Sequence, residues 1–240
     1  MTPPLLCELH AHTTFSDGRL SLTELVDLYG GHGFDVLCVT DHCVRSGDPW
    51  LATDPSHVHE GSFGAYLAAI EEEAIRAWWT YDLLVIPGVE LTYFDPDPRR
   101  SAHAVAVGLR EYVGVEGGVE QALGEAREAG AALVAAHPYP LVEAADAARG
   151  TGRFAEDWRE LAPAVDRFEL FNRHDAFPWV AREQLPFVAC GDFHVPEHLE
   201  TWKTLIPCAK DERAVVEHLR SAAPVHVTRF EHSRPAALAA

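Results

Sequence analysis

The sequence predicts an α/β fold on one sheet, either a single (β/α) barrel or a doubly wound sheet. Three observations predict it. Short apolar runs alternate with helical patterns along all 240 residues. Runs such as Val36-Leu37-Cys38-Val39 are apolar on both faces, which suits strands of a mostly parallel sheet covered by helices. Several runs end in His, Asp or Glu, and in barrels and open sheets such ends face one mouth.

Strands are expected at residues 5–10, 35–40, 83–90, 103–108, 131–136, 166–171 and 187–190. The first helix has the clearest start. Ser21-Leu22-Thr23-Glu24 fits a capping box, with Ser21 as N-cap and Glu24 at the third helical position. Leu22, Leu25, Val26 and Tyr29 then form an apolar stripe, and Gly30, Gly31 or Gly33 ends it. Further helices are expected at 63–81, 119–129, 155–161, 179–183 and 211–222. Residues 45–61 and 93–102 read as loops after strand ends, each either a rim or lid over a site or a solvated connection. With no internal repeat, residues 1–240 are expected to form one domain.

The balance of 19 basic against 37 acidic residues, a formal charge of −18, disfavours an extended nucleic-acid or anionic-membrane surface. It does not exclude a small phosphorylated substrate, because bound cations invert the local field. The five cysteines form no C-x-x-C pair, and Cys7, Cys38 and Cys190 read as buried core thiols. Residues 1–6 lack a basic segment followed by an apolar stretch, and no run is long and apolar enough to span a membrane. The expectation is a cytoplasmic protein without membrane partners.

His10 and His12 stand two apart at a strand end, so both rings point to one face. Asp17 follows in a Ser-Asp-Gly turn that can reach back to the same end. Thr40-Asp41-His42, Gly88-Val89-Glu90, His137-Pro138 and Gly191-Asp192-Phe193-His194 close later strands, and His103 opens one. Buried charge and imidazole are costly unless paired or metal-bound, so core packing does not account for this recurrence.

Taken in this order, these segments resemble the motifs of the polymerase-and-histidinol-phosphatase (PHP) family over residues 5–210. The resemblance implies a single distorted (β/α)7 barrel with a trinuclear metal centre. One ion would be held by His10, His12, Glu90 and Asp192. A second would be held by Glu90, His103 and His137, and a third by Asp17, His42 and His194. Imidazole plus carboxylate without thiolate suits Zn, Mn or Fe. Asp41 reads either as a group that orients a ligand or as a turn-capping residue. Arg19, Asn172, Arg173 and His174 are candidates for substrate contact, each set against an ordinary surface role. His57 and His59 lie in the first loop.

The reading that follows is a phosphoesterase for a small phosphomonoester or nucleotide, in which a metal-bridging hydroxide attacks phosphorus. Asp192 would take a proton, and His194, Asp41 or His174 would protonate the leaving oxygen. Two alternatives stand beside it. One is a hydrolase of a non-phosphate ester or carbamate, with Trp50, Trp78, Trp79 and Trp179 as candidates to line an apolar pocket or else to pack the core. The other is a non-catalytic, metal-stabilised module.

Overall fold

The computed structural model describes residues 3–140 and 151–231; the ends of the expected 1–240 domain lie outside them. The strands are β1 (Leu5–Glu8), β2 (Val36–Val39), β3 (His42–Val44), β4 (Leu84–Tyr93), β5 (Ala102–Val107), β6 (Ala132–Ala135), β7 (Arg167–Asn172), β8 (Asp175–Ala176), β9 (Phe187–Cys190), β10 (Trp202–Ile206) and β11 (His226–Arg229). The helices are α1 (Leu22–Gly31), α2 (Glu60–Tyr81), α3 (Val119–Glu128), α4 (Arg153–Glu156), α5 (Trp158–Leu161), α6 (Pro178–Arg182) and α7 (Glu212–Arg220).

The α/β class holds, and the sheet curls into a half-barrel, but it is not a seven-fold (β/α) repeat. Among the described residues it has eleven strands in the order β11-β10-β1-β2-β4-β5-β6-β7-β8, with β3 on β4 and β9 on β7. β5 runs antiparallel to both β4 and β6, and β10 runs antiparallel to β1. The physical reason lies in the connections. Only residues 94–101 separate β4 from β5, too few for the crossover that a parallel pair needs. β4 also runs on to Tyr93, because β3 pairs with Glu90–Thr92 on one side and β5 with the same stretch on the other.

Alternate residues of the strands enter two separate apolar clusters. Leu37 and Val39 join Leu25, Val26 and Ile70 of the helices, whereas Val36 and Cys38 join Ile86, Val105, Val215 and Leu219. The second cluster therefore fills the other face, with α7 against it. Arg167 fixes α7 in place by donating to the carbonyls of His218, Leu219, Ser221 and Ala223 at the helix end. α1 carries the expected capping box, with Glu24 accepting from the Ser21 N–H at 2.9 Å and Ser21 accepting from the Glu24 N–H at 3.3 Å. Cys7, Cys38 and Cys190 are buried free thiols. Among the described residues no helix is long and apolar enough to cross a membrane.

The curl brings β9 back towards β1. Thr204 of β10 uses its hydroxyl to pair with the Ala189 N–H and C=O of β9, at 2.9 and 2.8 Å. Beyond the strand ends Ala11 and Phe193 form a parallel bridge: the His12 N–H donates to the Phe193 carbonyl at 2.9 Å and the Phe193 N–H to the His10 carbonyl at 3.1 Å. His10, His12, Asp192 and His194 are thereby placed side by side.

Candidate metal centre

The nine residues read as ligands from the sequence come together at this end of the sheet. His10 and His12 follow β1, His42 opens β3, Glu90 lies inside β4, His103 is near the start of β5, His137 follows β6, and Asp192 and His194 follow β9. His103 reaches the same end as the others because β5 is reversed. Asp17 is carried back by the 13–18 turn, in which the Ser16 and Gly18 N–H groups both donate to the Thr13 carbonyl at 3.0 Å. Only glycine permits this turn: a Cβ at Gly18 would lie 2.3 Å from the His12 carbonyl oxygen.

Glu90 is the hub. Its Oε1 lies 3.1 Å from His103 Nδ1, 3.1 Å from His137 Nε2 and 3.5 Å from His10 Nε2. Its Oε2 lies 3.5 Å from His12 Nε2. Asp192 Oδ1 lies 3.5, 3.4 and 3.3 Å from His10, His12 and His194. Asp17 reaches His194 Nε2 at 3.1 Å and His42 Nε2 at 3.6 Å. Four sets of donor atoms could each hold an ion, their atoms within 4.8 Å of one another: His12/Asp17/His42/His194, His10/His12/Asp192, His10/Glu90/His137 and His42/Glu90/His103.

The rear nitrogens of the rings are already engaged. His10 Nδ1 is 2.9 Å from Glu169 Oε1, His12 Nδ1 3.3 Å from Ser16 Oγ, His42 Nδ1 2.7 Å from Thr92 Oγ1, and His137 Nδ1 3.2 Å from Thr151 Oγ1. Such partners select the tautomer and aim the opposite nitrogen. On the inner side, His10 Nε2, His12 Nε2, His103 Nε2, Asp17 Oδ1 and Glu90 Oε2 are buried without a hydrogen-bond partner. Leaving a buried polar atom unpaired costs about 1–3 kcal/mol each. Cations shared among these atoms remove that cost, and a donor set of imidazole and carboxylate fits Zn, Mn or Fe.

The electrostatics agree. Burial opposes ionisation of Glu90 and Asp192, yet the rings around them, with Arg173 beside Asp192, outweigh it and hold both carboxyls well below their usual range. Burial, with His194 and His42 nearby, keeps His12 neutral, and burial does the same for His103. His10, His137 and His194 go the other way. Burial favours their neutral form, but the carboxylates beside them outweigh it and raise their pKa. That surplus of negative field is one that a cation satisfies in place of a proton. Backbone strain also gathers here: His137, Arg173 and Asp192 all have positive φ, at 28°, 50° and 43°.

Other sequence expectations meet the geometry differently. Asp41 is fully buried and makes no hydrogen bond to His42; it accepts from the Thr13 N–H (2.8 Å), Thr13 Oγ1 (2.9 Å) and Ser16 Oγ (2.7 Å), and so holds the turn that carries Asp17 and backs His12. Asn172 is buried as well, with its amide donating to Glu169 Oε2 at 2.7 Å rather than facing the mouth. Arg173 does reach the cluster, donating to the Asp192 carbonyl at 2.9 Å and lying 3.0 Å from Asp192 Oδ2 and 2.8 Å from His194 Nδ1. Arg19 is exposed beside the 13–18 turn, its N–H donating to the His194 carbonyl at 2.8 Å. His174 is exposed on the β7–β8 turn. His57 and His59 pair with each other at 5.2 Å, outside the four ion-holding sets.

Glu169 is the residue that sequence reasoning missed. Flanked by Phe168 and Leu170, it reads as facing a helix or solvent. It is instead fully buried, and besides His10 it accepts from the His137 N–H at 2.6 Å. Glu169→Gln is expected to lower metal affinity about 10- to 100-fold. Titration of the metal-free protein with Mn²⁺ in a calorimeter checks this.

Comparisons with known proteins follow the same line. A family model described as PHP domain matches residues 8–152. No curated protein sequence gives a significant match. Among solved structures, a two-domain protein from Bacteroides vulgatus containing a predicted PHP-like metal-dependent phosphoesterase aligns with TM-score 0.68 and 21% identity, over 94% of this chain. This chain spans 64% of the length of that protein. A protein from Bifidobacterium adolescentis, provisionally named a metal-dependent phosphoesterase, aligns with TM-score 0.51 and 16% identity over 81% of this chain and 90% of its own. An amidohydrolase from Chromobacterium violaceum, with bound sulfate and no metal, aligns with TM-score 0.51 and 16% identity over 79% of this chain and 88% of its own. At these identities the likeness concerns the fold.

Proposed function

Because the chain belongs to the PHP domain family, we propose that it is a metal-dependent phosphoesterase acting on a small phosphate ester. The observation that carries this is the ring of buried, partnerless nitrogens and oxygens around Glu90. His10, His12, Asp17, His42, Glu90, His103, His137, Asp192 and His194 would hold the ions, three in number and of the Zn, Mn or Fe class. When bound, such ions supply a nucleophilic water at neutral pH and neutralise charge on the phosphoryl oxygens.

The chain's own residues do the rest. Asp192, whose Oδ2 faces Arg173, accepts a proton from the attacking water. Arg173 offers a guanidinium donor to a phosphoryl oxygen at the same edge, with Arg19 a second cation on the rim. His194, held between Asp17 and Asp192, would move a proton towards the leaving oxygen. Asp41 and Asn172 act at one remove, through the turn at 13–18 and through Glu169. A carboxyl ester or carbamate is the second reading, favoured by the aromatic wall that Trp50 and Phe94 set against His42 and His103.

Removing the metal tests the proposal. Dialysis against a chelator is expected to cut turnover of a phosphomonoester panel to below about 1%, and Mn²⁺ or Zn²⁺ to restore it. Losing ions that bind only the folded chain should also lower Tm by about 5–10 °C. Phosphatase activity that survives complete removal of metal refutes the proposal. So does a metal-loaded protein that cleaves no phosphate ester.

A further inference from the structure

Beside the metal centre lies a cavity of about 470 Å³, lined by Arg45, Asp48, Trp50, Phe94, Asp95 and two prolines. Its aromatic walls back directly onto the proposed ligands. The Trp50 ring meets His42 at 5.2 Å and the Phe94 ring meets His103 at 4.9 Å, both edge to face. Trp50 and Phe94 lie near parallel, 27° apart with centroids at 6.2 Å, and both are only partly buried. They present ring surface to the cavity rather than filling the core.

The walls are built features. Asp48 caps the short helical turn Pro49–Ala52 and accepts the Trp50 backbone N–H at 3.0 Å, which anchors the main chain that carries the indole. Arg45 ties the two loops together. It pairs with Asp48 at 3.0 Å, donates to the Phe94 carbonyl, and lies 4.4 Å over the Tyr93 ring. Arg45 pairs with Asp48 and Asp95 pairs with Arg100 at 3.7 Å, so each charged side chain of the lining already has its counter-charge. A second phosphate or carboxylate on the substrate would find no free cation in this lining, whereas a flat apolar group gains from burial against two rings.

Resting on the phosphoesterase reading, we infer that this cavity receives the leaving group and selects esters of uncharged, planar aromatic alcohols. Trp50 and Phe94 are the specificity-determining residues. A ring buried there is worth about tenfold or more in affinity.

The test uses phosphonates, which report binding without turnover. Calorimetry on the Mn²⁺-loaded protein compares 1-naphthylmethylphosphonate with methylphosphonate. The aromatic probe is expected to bind at least about tenfold tighter, and this ratio to fall below about threefold in Trp50→Ala and in Phe94→Ala. Adding a carboxylate to the distal edge of the ring should weaken binding about fivefold or more. Equal binding of the two probes by the unaltered protein overturns the inference, and so does a ratio that survives in both variants. If the ratio behaves as expected while no phosphate ester is hydrolysed, the pocket stands and the phosphoesterase reading falls.

Discussion

Replacing Glu90 with Gln is expected to lower kcat/KM by about a thousandfold or more and to strip the protein of most of its metal. The expectation follows from the position of one carboxylate. Glu90 sits in the middle of β4, fully buried, and its two oxygens face His10, His12, His103 and His137. His42 Nδ1 approaches to 2.7 Å but directs its N–H at Thr92. No other residue among those described touches rings from so many strands. The amide keeps the shape and removes the charge, so a purely structural role would leave turnover nearly intact. Steady-state kinetics combined with metal content by plasma mass spectrometry separates the two. Full metal content with unchanged kcat/KM would mean that Glu90 is not the shared ligand.

The second large effect is on stability. Lys203→Met is expected to destabilise the fold by about 3–5 kcal/mol, because it leaves a buried carboxylate without its counter-charge. Lys203 lies beneath the candidate metal centre, fully buried, 2.8 Å from Glu8 Oε2. Glu8 also accepts the Tyr29 hydroxyl at 3.0 Å and the N–H groups of Leu9, His10 and Gly191 at 3.1, 3.3 and 2.8 Å. One ion pair thus holds the backbone on both sides of the bridge between Ala11 and Phe193. Position 191 must be glycine for the same reason, since a Cβ would lie 2.2 Å from the Glu8 carboxylate. Urea denaturation of the metal-free protein measures the loss. Adding Glu8→Gln to Lys203→Met should return part of it, because the orphaned charge is gone. A loss below about 1 kcal/mol in the single variant would show that the pair is solvated on opening of the local structure.

How much of this was legible in the sequence depended on whether a residue carries its own chemistry. That nine ligand-type residues meet at one end of the sheet could be anticipated, because His, Asp and Glu at strand ends have few structural uses there. The Ser21–Glu24 capping box could be read because both partners lie within one turn. The family resemblance then supplied an order for motifs that are individually weak. What could not be read depends on distant partners. Glu169 sits on a strand whose register shifts at a bulge between Glu169 and Phe171, so alternation does not reveal which way it points. The partners of Lys203 and Asn172 are set by the curl of the sheet. β10 and β11 escaped notice because short strands with polar residues and an exposed edge lack a clear apolar period. The reversed β5 was not legible because the expected strands 83–90 and 103–108 leave twelve residues between them, enough for a crossover; only the extension of β4 to Tyr93 shortens the connection to eight.

Crystals soaked in Mn²⁺, with diffraction recorded on both sides of the manganese absorption edge, bear most directly on the claim that these side chains surround cations. Anomalous density is expected within coordinating distance of Glu90 and Asp192, between the inward nitrogens of His10, His12 and His137, with further density near Asp17, His42 and His194. A lattice saturated with Mn²⁺ whose anomalous peaks all lie away from these residues would contradict it.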